Sequence, residues 1–342
     1  MLEWPLEIMF YMVIITCMIG YAVLDGFDLG VGILLLVARK DQERRILLNA
    51  IGPVWDGNAV WLIIVIGSLF AGFPNVYATV FSAFYIPSML MLCALIFRAV
   101  AIEVRSKKQM RWWRSLWDCV FSFSSLMIAL GVGMAIGNFV EGIPLDENFN
   151  FNGGIWDLLS LYSVLMGVVT VALFTMHGAI YLVMKTEGDL HDRIRNWARR
   201  SVIFFLMTYW AATIITLIYF PHMVEQLKER PGLFVVGLLA MFAIANIPRE
   251  LSLGHDGRAF ISSCVTIASL LALYSLGSFP ELLRSSINPA HNSLTIYNSS
   301  SSKLTLTVLG IIVAIGVPLV IGYGIVIYRV FRGKVRLDSM SY

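Results

Sequence analysis

The chain has 342 residues, 58% of them hydrophobic and 14% charged, with a net charge of +3, whereas a soluble domain carries about 25% charge. So much apolar surface needs lipid to cover it, and the long apolar runs leave no stretch large enough for a separate soluble domain. Nucleic acid is excluded as a partner, because the basic residues are dispersed among short loops rather than gathered in one groove or tail.

In chain order, apolar runs occupy residues 8–38, 53–73, 76–102, 116–138, 157–184, 200–220, 232–248, 258–279 and 305–329. At roughly 20 apolar residues per crossing, they predict an all-α polytopic membrane protein with about nine transmembrane helices. The first run is too long for a signal-peptide core and follows Glu3 and Glu7 rather than a basic segment, so it reads as a retained span. Cys17, Cys93, Cys119 and Cys264 all fall inside runs, without C-x-x-C spacing, and read as small buried hydrophobes.

The loops alternate in charge. Of the 25 basic residues, 20 lie in the first, third, fifth and seventh loops and the tail, which places those segments and the carboxyl terminus in the cytoplasm and the amino terminus outside. Trp112, Trp113 and Trp117 at the start of span four, with Trp55 and Trp61 at the start of span two, are expected as interfacial anchors. The outer stretches 139–156 and 285–303 are rich in Asn or Ser and read as plain connectors.

A weak echo recurs at an offset of 140 residues: Gly137, Phe139 and Glu141 match Gly277, Phe279 and Glu281, and Arg98 with Glu103 is answered by Arg249 with Glu250. Four spans per half preserve orientation. The echo therefore predicts two parallel four-helix bundles, 8–138 and 157–279, plus one peripheral helix, 305–329.

Acidic residues deep inside a span are costly, which makes Asp25 and Asp28 the strongest local signal for chemistry. Spaced i, i+3, they share a helix face, and Asp25 sits about 20 Å from the cytoplasmic end of its run at 1.5 Å per residue. Such carboxyls pair with a cation, hold a proton, or bond neighbouring helices as a structural knot. Gly26 and Gly30 supply a small-residue stripe that lets another helix approach closely. Asp56 opens span two, where an acid suits the helix dipole, and it could also serve as a surface proton entrance toward Asp28 and Asp25. Arg98 and Glu103 are expected to pair at the cytoplasmic interface, with Asp118 joining from span four. His177 is the one histidine inside a span; alone it cannot supply both axial ligands of a bis-histidine haem, and it suits helix packing or proton handling better. No nucleotide-binding, metalloprotease or serine-hydrolase motif occurs.

Taken together, the segments Asp25-Gly26-Phe27-Asp28-Leu29-Gly30-Val31-Gly32, Trp55-Asp56-Gly57-Asn58, Phe97-Arg98, Arg105-Ser106-Lys107, Gly137-Asn138 and Gly188-Asp189-Leu190-His191 resemble subunit II of the cytochrome bd-type quinol oxidases. The likeness covers essentially the whole chain. It implies a bacterial cytoplasmic (inner) membrane protein in a complex that oxidises quinol and reduces oxygen to water, taking protons from the cytoplasm. It also implies a partner, subunit I, which holds two b-type haems and one haem d, while this chain binds none and is not catalytic alone. The family associates proton uptake with acids matching Asp25 and Asp56, and Asp28 belongs to the same motif. A bound quinone and a small single-span subunit remain open as further components. The short outer loop 221–231 resembles that of the compact, cyanide-insensitive type. A proton- or ion-coupled secondary transporter is the rival reading, since an internal repeat with mid-membrane acids suits one on physical grounds.

Overall fold

The computed structural model describes residues 5–337, so Glu3 lies outside the described residues. The elements run α1 (Leu6–Leu34), α2 (Asp41–Ile51), α3 (Trp55–Gly72), α4 (Pro74–Ala83), α5 (Tyr85–Val104), α6 (Arg111–Glu141), α7 (Leu161–Lys185), α8 (Gly188–Tyr219), α9 (His222–Glu229), α10 (Phe234–Leu253), α11 (Asp256–Ser278), β1 (Glu281–Leu283), α12 (Pro289–Asn292), β2 (Leu294–Thr295) and α13 (Lys303–Val330). Among the described residues nine helices are long and apolar enough to cross a bilayer, all of these except α2, α4, α9 and α12. Their ends follow local chemistry. The hydroxyls of Ser160 and Ser302 accept from the amides of Ser163 and Thr305 and cap α7 and α13. Gly254 ends α10 at φ +78°, a conformation that costs glycine nothing.

Several expectations are corrected. The third run is not continuous: Pro74 starts the separate helix α4, which stops at Phe84 before α5 begins. The first loop contains α2, whose Glu43 accepts from the amides of Arg39 and Lys40 and from Arg193 of α8. Burial opposes ionisation of Glu43, but these donors outweigh it and hold the carboxyl below its ordinary range. Trp61 is buried against α1, where a Cβ on Gly20 would lie 2.6 Å from its ring, so it packs helices rather than anchoring the interface. Cys93 and Cys119 are exposed on the outer apolar surface; of the four cysteines Cys17 alone is buried.

The two outer stretches are more than connectors. They build a cap with its own core, in which Ile143, Leu145 and Leu158 meet Leu283, Leu294 and Ile296 above Phe10 and Phe73. The short strands β1 and β2 pair antiparallel there, and the buried amide of Asn292 donates to the carbonyl of Leu145. The loop 221–231 likewise holds α9, packed on α11.

Within the first half α1 packs on α3 and α6, and α5 on α6; within the second, α7 packs on α8 and α11, and α10 on α11. α1 and α6 also pack directly on α7, so one continuous core joins the halves. α7 is central, with 67% of its apolar stretch buried, whereas α13 buries 6% and lies on the rim against α3 and α1. The seam between α1 and α7 is backbone on backbone. A Cβ on Gly178 would stand 2.6 Å from the carbonyl carbon of Gly30, and one on Gly30 would overlap the carbonyl oxygen of Phe174. The small-residue stripe therefore faces α7.

Because backbone cannot rotate away as a side chain does, Gly30→Leu should prise α1 from α7, at a cost of about 1–3 kcal/mol or more. Gly131→Leu, where a Cβ would meet nothing within 4 Å, is the control. Size-exclusion profiles of the extracted protein before and after heating should show loss of the folded peak for the first variant and little change for the second.

Candidate functional site

The centre of the molecule holds a cluster of buried charges. α1 places Asp25 and Asp28 on one face, both at 0% exposure, and α5 brings Arg98, at 2%, against them. The guanidinium binds Asp25 through two contacts, Nη2 to Oδ1 at 2.8 Å and Nη1 to Oδ2 at 3.3 Å. Asn58 of α3 donates its Nδ2 to Oδ2 of Asp28 at 2.7 Å and to the Leu24 carbonyl at 3.1 Å. Its Oδ1 accepts from the hydroxyl of Tyr328, on α13, at 2.9 Å. Four spans thus meet at two carboxyls and one guanidinium. Oδ1 of Asp28 and Nε of Arg98 have no hydrogen-bond partner among the described residues.

The other expected site residues divide. Asp56 is exposed on the first turn of α3 and is not joined to the cluster by a hydrogen bond. Asn58, two residues on and so about 200° round the helix, is the member of that segment that reaches Asp28. The expected pair of Arg98 with Glu103 does not form as drawn: Arg98 turns inward to Asp25 while Glu103 is exposed. Residues five apart stand about 140° apart round a helix, so one faces the core when the other faces out. Asp118 does not join Arg98 either. It is buried and takes Arg105 at 2.5 Å and Arg44 at 3.0 Å. Arg105 and Arg114 then both hold Asp41, at 2.7 Å each, so a second charged knot ties α2, α5 and α6 where the basic loops lie. Trp55 is half-buried at the start of α3.

His177 is fully buried in α7, stacked on Phe260 with centroids 4.9 Å apart. Phe27 in turn stacks on Tyr181 at 4.1 Å and meets both His177 and Phe260 edge-on. Both ring nitrogens of His177 are engaged: Nε2 lies 2.9 Å from the carbonyl of Val23, which only accepts, and Nδ1 lies 2.7 Å from the hydroxyl of Ser263. A haem iron would have to displace one of these bonds, so the residue does not fit as an axial ligand. It ties α7 to α1 and α11.

Tyr328 and Arg105 escaped the reading of the sequence as site residues. A lone Tyr near the end of an apolar span carries no signal that separates it from its neighbours, and nothing in Arg105-Ser106-Lys107 tells which of its two cations turns inward. Asn58 belongs to the segment Trp55-Asp56-Gly57-Asn58, but only the register of α3 shows that it, and not Asp56, faces inward.

Removing one partner of a buried ion pair strands the other charge, at a cost of about 3–5 kcal/mol. Arg98→Met and Asp25→Leu should each sharply lower the amount of folded protein recovered, and the double variant should regain much of it. Recovery and melting temperature across the double-mutant cycle measure this; single variants as stable as the parent would contradict it.

The chain is similar along almost its whole length to known proteins. The family model described as cytochrome bd terminal oxidase subunit II matches residues 6–331. The chain is 32% identical over 367 residues to cytochrome bd-I ubiquinol oxidase subunit 2 of Escherichia coli strain K12, covering 98% of this chain and 97% of that one. It is 33% identical over 338 residues to cytochrome bd ubiquinol oxidase subunit 2 of Bacillus subtilis strain 168, covering 98% of each. Its fold is similar to a chain of the bd oxidase structure from Geobacillus thermodenitrificans, with a TM-score of 0.78, 16% identity, and coverage of 96% of this chain and 99% of that one. The chain belongs to the cytochrome bd terminal oxidase subunit II family.

Proposed function

We propose that this chain works as the second subunit of a quinol-oxidising, oxygen-reducing complex of the bacterial inner membrane, beside a haem-bearing subunit I, and that Asp25, Asp28 and Asp56 mark a proton entry with divided roles. One observation carries the reading: the buried cluster holds one carboxyl more than it has guanidinium. Arg98 matches the charge of Asp25 and binds it through both carboxyl oxygens. Asp28 has a single side-chain donor, Asn58, and a free Oδ1, so it is the group with room to take and release a proton. Asp56, at the surface, collects protons from water.

The loops that hold Arg44, Arg105, Arg114 and Arg193 face the cytoplasm in this proposal, supported by the excess of Lys and Arg on that side. The chain contributes no haem ligand of its own, in keeping with the two occupied nitrogens of His177. The halves 8–138 and 157–279 are a parallel duplication, a reading supported by the matching helix pairs in each, with 305–329 added at the rim.

An amide keeps the size and hydrogen bonds of a carboxyl but cannot titrate. In the whole complex, Asp28→Asn should therefore leave haem content near normal while lowering quinol-driven oxygen consumption per haem, by roughly tenfold or more if this proton step becomes limiting. Asp56→Asn should lower it less, since water can replace a surface collector. Proton uptake on the cytoplasmic side of sealed vesicles should fall in step. Full turnover in the assembled Asp28→Asn complex would remove Asp28 from the route.

A further inference from the structure

Two cavities lie end to end along the outer helix and share Pro53, Val54 and Tyr328. One, of about 260 Å³, is a mainly apolar cleft between α3 and α13, with Trp61, Ile321, Gly324 and Ile327 among its walls. The other, of about 370 Å³, opens at the end where the basic loops lie and is lined by Lys185, Arg332, Lys334 and Arg336, with no acidic residue among its described lining. This basic mouth is a built feature. The tail after α13 is strapped across the end of α7: the Val335 amide donates to the Lys185 carbonyl at 2.9 Å, Lys185 Nζ to the Phe331 carbonyl at 2.7 Å, and Lys334 Nζ to the Val183 carbonyl at 3.2 Å. Arg332 and Arg336 are exposed and have no carboxylate partner among the described residues.

An apolar slot running along the membrane depth and ending in four cations that no carboxylate matches among the described residues has the charge and shape of a phospholipid. We propose that it holds one anionic glycerophospholipid, its phosphate among Lys185, Arg332, Lys334 and Arg336 and one acyl chain lying between α3 and α13. A neutral amphiphile would leave the cations unmatched, and a free phosphate would leave the apolar cleft unused. Bound there, the lipid would fasten α13, the least buried span, to α3 and to the tail strap.

The test uses the intact complex containing this chain, washed of lipid in detergent and then given dioleoyl phosphatidylglycerol, with bound lipid counted by native mass spectrometry. Two variants divide the site. Arg332→Gln, Lys334→Gln and Arg336→Gln together remove charge at exposed positions, and Gly324→Leu fills the cleft at a position where a Cβ meets nothing within 4 Å. Each should lower the retained phosphatidylglycerol by roughly tenfold, with haem content unchanged, and neither dioleoyl phosphatidylcholine nor inorganic phosphate should displace the lipid from the parent. Retention by the charge variant equal to the parent would overturn the proposal, as would displacement by phosphatidylcholine. So would displacement by inorganic phosphate together with full retention in Gly324→Leu, which would mark a free-anion site.

Discussion

The backbone contact between α1 and α7 is the constraint on which the rest depends. Because Gly30 and Gly178 let the two helices touch without side chains between them, α1 is drawn into the centre of the molecule instead of lying on its rim. α3 and α6 also pack on α1, and with Asn58 of α3 and Arg98 of α5 against them Asp25 and Asp28 end fully buried. The aromatic cluster of Phe27, His177, Tyr181 and Phe260 forms on the same seam, so the helix that bears the acids is locked in rotation as well as in position.

Electrostatics then divides the charged residues into two kinds. At the membrane end near the basic loops, Asp118 takes two guanidinium groups and Arg105 takes two carboxylates; with water close by, such a network ties α2, α5 and α6 together and has charge to spare. Deeper in, Arg98 meets two carboxyls and binds only one. The imbalance is small in number and large in consequence, because an unmatched charge in low dielectric is expensive. A proton is the lightest counter-charge available.

The sequence made the membrane class plain, since runs of apolar residues depend on composition alone and no tertiary contact alters them. Asp25 and Asp28 were legible for a related reason: their cost at that depth can be estimated without knowing a neighbour. What stayed hidden was partnership. Arg98 looked interfacial because it lies near a run's end, and only the packing of α5 on α6 beside α1 turns it inward. Trp61 and the outer cap misled in the same way, as residues typical of surfaces that the fold buries. Likewise the third run breaks at Phe84, between α4 and α5, a position that hydropathy averaging smooths over.

The ion pair at the centre also bears on how the chain is made. Asp25 and Arg98 are 73 residues apart, which at roughly 5–20 residues per second of synthesis is a delay of about 4–15 s. During that interval the first span has emerged and its counter-ion does not yet exist. α1 must either enter the bilayer with its carboxyls protonated, or wait beside the insertion machinery until α5 arrives. On either route the final surroundings of the first span are completed only when α5 has been made, so the chain must carry these acids unmatched through the synthesis of the helices between.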